Sequence, residues 1–87
     1  MSKMEVELEI IDNYEPALSL FIKMLEQGHK RHGLEFRHRP YHWMMKRIRQ
    51  ERIEYQDAKA PEDKAAEALD VSILWFLIAQ KRLTEGH

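Results

Sequence analysis

Eighty-seven residues, 44% hydrophobic and 33% charged, describe one globular domain rather than a disordered chain, and the absence of cysteine excludes disulfides and thiolate metal sites. The formal net charge is −1, but it is segregated: residues 1–28 hold six acids and two bases, residues 29–49 seven Lys/Arg against Glu35 alone, and residues 50–87 eight acids and five bases. A basic middle beside acidic flanks suits either a phosphorylated ligand held through metal and cations together or a solvated basic patch. A chain this short buries a limited share of its surface, so oligomerisation is the expected source of further core.

In chain order, MSKMEVELEI lacks the continuous apolar core of a signal peptide, which leaves the cytoplasm as the expected location. Met4 to Ile10 alternates apolar residues with glutamate at strand period, but a lone strand has no partner here, so an arm or a helical lead-in is expected. A helix is predicted over about Tyr14–His32, with Asn13 as N-cap and Pro16 in the first turn. Its stripe is Tyr14, Leu18, Phe21 and Leu25, Gly33 is its C′ residue just past the end, and Lys30, Arg31 and His32 lie where the helix dipole favours cations. Pro40 opens a second helix to about Lys59, with a stripe of Tyr41, Met44, Ile48, Glu51, Tyr55 and Ala58 that holds Glu51 in line with apolar side chains.

Pro61, Glu62 and Asp63 then start a third helix, to about Leu83. From Ala65 to Ala79 only Glu67, Asp70 and Ser72 interrupt its apolar residues, which predicts an interior helix too short and too interrupted to span a bilayer. Glu67 and Asp70, three residues apart, share a face. The near-absent connection makes the last two helices an antiparallel hairpin, and the pairs Glu51/Asp70 and Glu54/Glu67 are both centred on the Ala60–Pro61 turn. Four carboxylates then converge one helical turn apart. Their repulsion is relieved most directly by a hard divalent cation, magnesium or manganese rather than zinc. The competing reading makes Glu51, Glu54 and Glu67 surface acids paired with Arg47, Arg52 or Lys64.

ERIE (Glu51–Glu54), then twelve intervening residues, then EALD (Glu67–Asp70) resembles the E-x-x-E…E-x-x-D signature of the MazG-type nucleoside triphosphate pyrophosphohydrolases. The likeness covers about residues 17–82, including the apolar segment after the last aspartate; Gln50 and Arg52 replace an acid usual beside the first motif, and Ile73 a polar residue of some short relatives. The resemblance implies a single MazG-like helical domain over 1–87, with 1–12 as an N-terminal arm and 84–87 as a polar tail. It implies Glu51, Glu54, Glu67 and Asp70 as magnesium ligands, and a reaction giving nucleoside monophosphate and pyrophosphate. Glu54, at the edge of its stripe, is the candidate proton acceptor. Lys30, Arg31, Lys46, Arg47, Lys81 and Arg82 are candidate phosphate contacts, and Tyr41 and Trp43 read first as packing residues, with stacking on a base as the alternative. A homodimer or homotetramer is expected.

The expected fold class is all-α: a hairpin carrying the site, a packing N-terminal helix, and completion by oligomerisation into a four-helix-type bundle. Two rivals are a non-catalytic helical oligomerisation module and a nucleic-acid binder using residues 29–49. The second is disfavoured, because that segment lacks a recognition-helix pattern and four carboxylates would repel a phosphate backbone. Zinc on His29, His32, His38 and His42 is disfavoured too, since Pro40 breaks the helix that would align the last two.

Overall fold

Proline and glycine set the helix boundaries. The computed structural model describes residues 2–85, and these form four α-helices: α1 (Lys3–Tyr14), α2 (Ala17–His32), α3 (Tyr41–Asp57) and α4 (Pro61–Thr84). A short 3-10 turn, Glu35–His38, links α2 to α3, and no strand occurs among the described residues. The all-α class is therefore as expected.

Of the two forms expected for the N-terminal segment, an arm or a helical lead-in, it takes the helix. Ser2 caps α1, its Oγ accepting the Glu5 N–H at 3.2 Å, and the alternating Glu, Leu and Met side chains take up a helix because all three are strong helix formers. The helix predicted from Tyr14 begins instead at Ala17. Asn13 is not its cap but lies in the last turn of α1, where Nδ2 donates to the Glu9 carbonyl at 2.7 Å. Pro16 forces this division, since the residue before a proline is pushed out of the helical region and Glu15 is extended (φ −82°, ψ 147°). The other ends are close to expectation. Gly33 stops α2 at φ 58° and its N–H donates to the His29 carbonyl at 2.7 Å, while Pro61 occupies the first turn of α4 above Glu62 and Asp63. Thr84 belongs to α4 and Glu85 caps it; the remainder of the expected polar tail, residues 86 and 87, lies outside the described residues.

α3 and α4 form the expected antiparallel hairpin, fastened at its open end. There the Tyr41 hydroxyl donates to Glu85 at 2.6 Å, Arg82 lies 3.6 Å over the Tyr41 ring, and Lys81 pairs with Glu85 at 2.7 Å while donating to the Arg37 carbonyl at 3.0 Å. α2 packs on α4 through an edge-to-face contact of Phe21 with Phe76, centroids 5.6 Å apart.

Among the described residues, the buried side chains are Met44, Ile48 and Glu51, all from the α3 stripe. α4, expected to be an interior helix, buries none of its residues within one chain and leaves Trp75 and Phe76 48% and 45% exposed. It has α3 on one side and α2 on another, and the rest of its circumference is uncovered. The molecule is correspondingly flat, 41 × 39 × 23 Å. No helix among the described residues is long and apolar enough to cross a membrane.

Candidate metal centre

Met44, Ile48 and Glu51 recur at four and three residues, so the packing that buries the first two carries Glu51 inward with them. Glu54, one turn on, stands at the exposed edge of the stripe, and α4 presents Glu67 and Asp70 across the hairpin. One carboxylate oxygen from each of Glu51, Glu54 and Glu67 lies within 4.8 Å of the others. Asp70 is half-buried beside this trio and shares a cleft with Glu51. Three of the four expected ligands are thus gathered, with the fourth adjoining.

The electrostatics record the crowding. Burial, then hydrogen bonding to Glu54 and the charges of Glu54 and Asp70, push Glu51 up to about 7 against the opposing pull of Arg47. Burial, then the charges of Asp70 and Glu54, raise Glu67. Burial, then the charge of Glu54, raise Asp70, with Arg47 again opposing. Glu67 Oε2 is buried with no hydrogen-bond partner. A buried carboxylate oxygen without a donor calls for a proton or a cation. An all-carboxylate donor set closing to this separation fits a hard divalent ion.

The cations expected to meet phosphate divide into two groups. Arg47 Nη2 pairs with Glu51 Oε1 at 2.7 Å, and Arg31 lines the same cleft of about 280 Å³ as Glu51, Asp70 and Arg47. The others stand elsewhere. Lys30 pairs with Glu26 at 3.1 Å, and Lys46 is exposed and does not line this cleft. Lys81 and Arg82 belong to the clamp at the open end of the hairpin, about 17–18 Å along α4 beyond Asp70 at helical rise. Tyr41 is part of that clamp, and Trp43 carries the Arg39 guanidinium 4.7 Å from its ring centre.

α2 contributes cleft residues that sequence reasoning missed: Met24, Gln27, Gly28 and His32, beside Arg31. Their spacing was a usable signal, since positions 24, 27, 28, 31 and 32 share one helical face. A role for Arg31 and His32 in satisfying the helix dipole conceals which way that face points. Comparison of the chain with family models, with characterised proteins and with solved structures finds no match. The resemblance to the MazG-type enzymes accordingly rests on ERIE, EALD and their spacing.

Proposed function

We propose that this chain hydrolyses a nucleoside triphosphate to the monophosphate and pyrophosphate at a magnesium centre on Glu51, Glu54, Glu67 and Asp70, manganese serving as a substitute. The observation that carries the reading is the convergence of carboxylates from two helices on one point, with Glu67 Oε2 buried and unpartnered, beside a cleft lined by Arg31 and Arg47. Magnesium bound there supplies neutralisation of phosphate oxygens and a lowered pKa for an attacking water. The chain's own residues do the rest. Glu51 and Glu67, anchored in the hairpin, hold the ion; Arg31 and Arg47 bind and orient the phosphate chain; Glu54, at the exposed edge, accepts the proton of the attacking water. Release of the monophosphate and pyrophosphate, as distinct from stepwise loss of phosphate, follows if attack falls at the α phosphate.

The uncovered circumference of α4 supports a homodimer or homotetramer as the working form. House-cleaning of non-standard nucleotides is the role the resemblance implies. The test is magnesium-dependent pyrophosphate release from a panel of canonical and modified nucleoside triphosphates. Release of pyrophosphate from at least one member is expected. A panel without release, from folded protein at millimolar magnesium, would favour the non-catalytic oligomerisation module.

A further inference from the structure

α1 is a helix with nothing laid against its apolar side. Met4, Leu8 and Ile11 recur along one face, yet they are 71%, 55% and 46% exposed, and no residue of α1 is buried. Between α2 and the α3–α4 hairpin, meanwhile, runs a groove of about 1020 Å³ walled by Ile22, Leu25, Phe36, Trp43, Ile73 and Phe76. One chain therefore carries both an apolar helix face and an apolar groove, and joins neither to anything. We propose that the groove takes α1 of a second copy, and that the exchange is reciprocal across a two-fold axis.

Three observations choose this occupant. The first is area. The chain exposes 6923 Å², whereas a compact monomer of its mass exposes about 5,400 Å². The excess, about 1,500 Å² per chain, is what each member of an obligate homodimer buries. The second is shape. The radius of gyration of 14.9 Å exceeds the roughly 12 Å of a compact domain of this length, as a flat body with a projecting helix requires. The third is chemistry. The rim cations are already paired, Lys30 with Glu26, Arg39 with Glu35 and Arg47 with Glu51, so the groove offers an occupant apolar surface, and the exposed face of Met4, Leu8 and Ile11 on α1 supplies the matching apolar side chains. Isologous exchange fills both grooves at once and leaves no open end for further addition.

This rests on the oligomeric reading above, and its readout, the state of association, needs no metal, although the groove and the acidic cleft share Arg47 and Ile73. The experiment is sedimentation equilibrium on the full chain, with circular dichroism confirming that each variant is helical. Wild type is expected to be a dimer or an assembly of such dimers. Leu8→Asp with Ile11→Asp, and separately Ile22→Asp, each remove one half of the contact at positions exposed in the single chain. Each should raise the dissociation constant about 100-fold or more. Mixing the two variants should restore dimer, because a mixed pair keeps one intact helix and one intact groove. A wild type that stays monomeric overturns both the oligomer and the exchange. Dimers that survive the α1 substitutions, or variants that do not recover on mixing, overturn the exchange alone. A small molecule in the groove would leave the Ile22→Asp variant dimeric, and that result likewise overturns the exchange. Since the chain has no cysteine, Leu8→Cys mixed with Ile22→Cys gives a second readout. Disulfide between unlike variants should exceed that between like ones, and an excess of like pairs overturns the exchange.

Discussion

Glu51 is where the sequence pattern, the packing and the proposed chemistry coincide. It is 7% exposed, and its carboxyl is pushed up to about 7, first by burial and then by its acidic neighbours. A carboxyl raised in the folded state binds more protons there than in the unfolded chain. Its contribution to stability is full below its unfolded value near 4.5 and is lost as pH rises through about 7. The metal-free protein should therefore lose stability between about pH 5 and pH 8, by an amount on the order of 2–3 kcal/mol from this group. Urea melts across that range check it, and a flat or rising profile would contradict it. Magnesium should flatten the profile, because it takes the place of the proton. Asp70→Asn removes one charge from the same crowd while keeping shape; it should abolish pyrophosphate release, with metal-free stability kept or raised. Turnover near the wild-type rate would show that Asp70 is no ligand.

Among the elements, α3 supplies the buried side chains of the single chain, while α4, the helix that both α2 and α3 pack against, buries none of its own. Met44 is fully buried, so Met44→Ala should cost about 2–5 kcal/mol in chemical denaturation, while Ile53→Ala on the exposed flank should stay within about 0.5 kcal/mol. The α3 stripe was legible because Met44, Ile48 and Glu51 keep helical spacing and the short Ala60–Pro61 turn leaves one hairpin register. The break at Pro16 was not, because one proline fits two pictures, the first turn of a helix or the stop before it. The helix-forming residues ahead of it decide between them: with α1 running up to Tyr14, Pro16 acts as the stop. An exposed remainder on α4 at Trp75 and Phe76 was legible, because a helix apolar nearly all round has more faces than two neighbours can cover, but its extent was not, since periodicity reports which faces are apolar and not how closely a neighbour covers them. Gly28 shows the same limit within α2. A Cβ there would meet nothing within 4 Å, so Gly28→Ala should stabilise α2 by about 0.5–1 kcal/mol, whereas Gly33→Ala should destabilise it because its φ is +58°. Equal effects of the two substitutions would show that the helix ends are placed otherwise.

At the scale of the whole molecule, the proposed cation and the proposed second copy would each add stability from outside the single chain, and thermal melts separate them. If assembly buries the uncovered faces of α1 and α4, unfolding releases separate chains and the melting temperature depends on protein concentration. Each tenfold dilution of a dimer of this size should lower it by about 4 °C, the effect of 1.4 kcal/mol spread over two chains. A cation acts on each site and leaves that slope unchanged. At 100-fold excess over its dissociation constant, magnesium adds about 2.7 kcal/mol per site, which raises the melting temperature by about 10–15 °C at every protein concentration. Melts at three protein concentrations, without metal, with millimolar magnesium and with calcium, therefore give parallel sloping lines, the metal-bound ones displaced upward. Horizontal lines would show a chain that unfolds as a monomer, leaving Trp75 and Phe76 exposed in solution. Superimposed lines would show a carboxylate cluster that takes no cation and relies on protons and Arg47 to offset its charge. Lines that converge on dilution would mean that the metal binds only the assembled form, which would place the acidic site and the surface between copies in one cooperative unit.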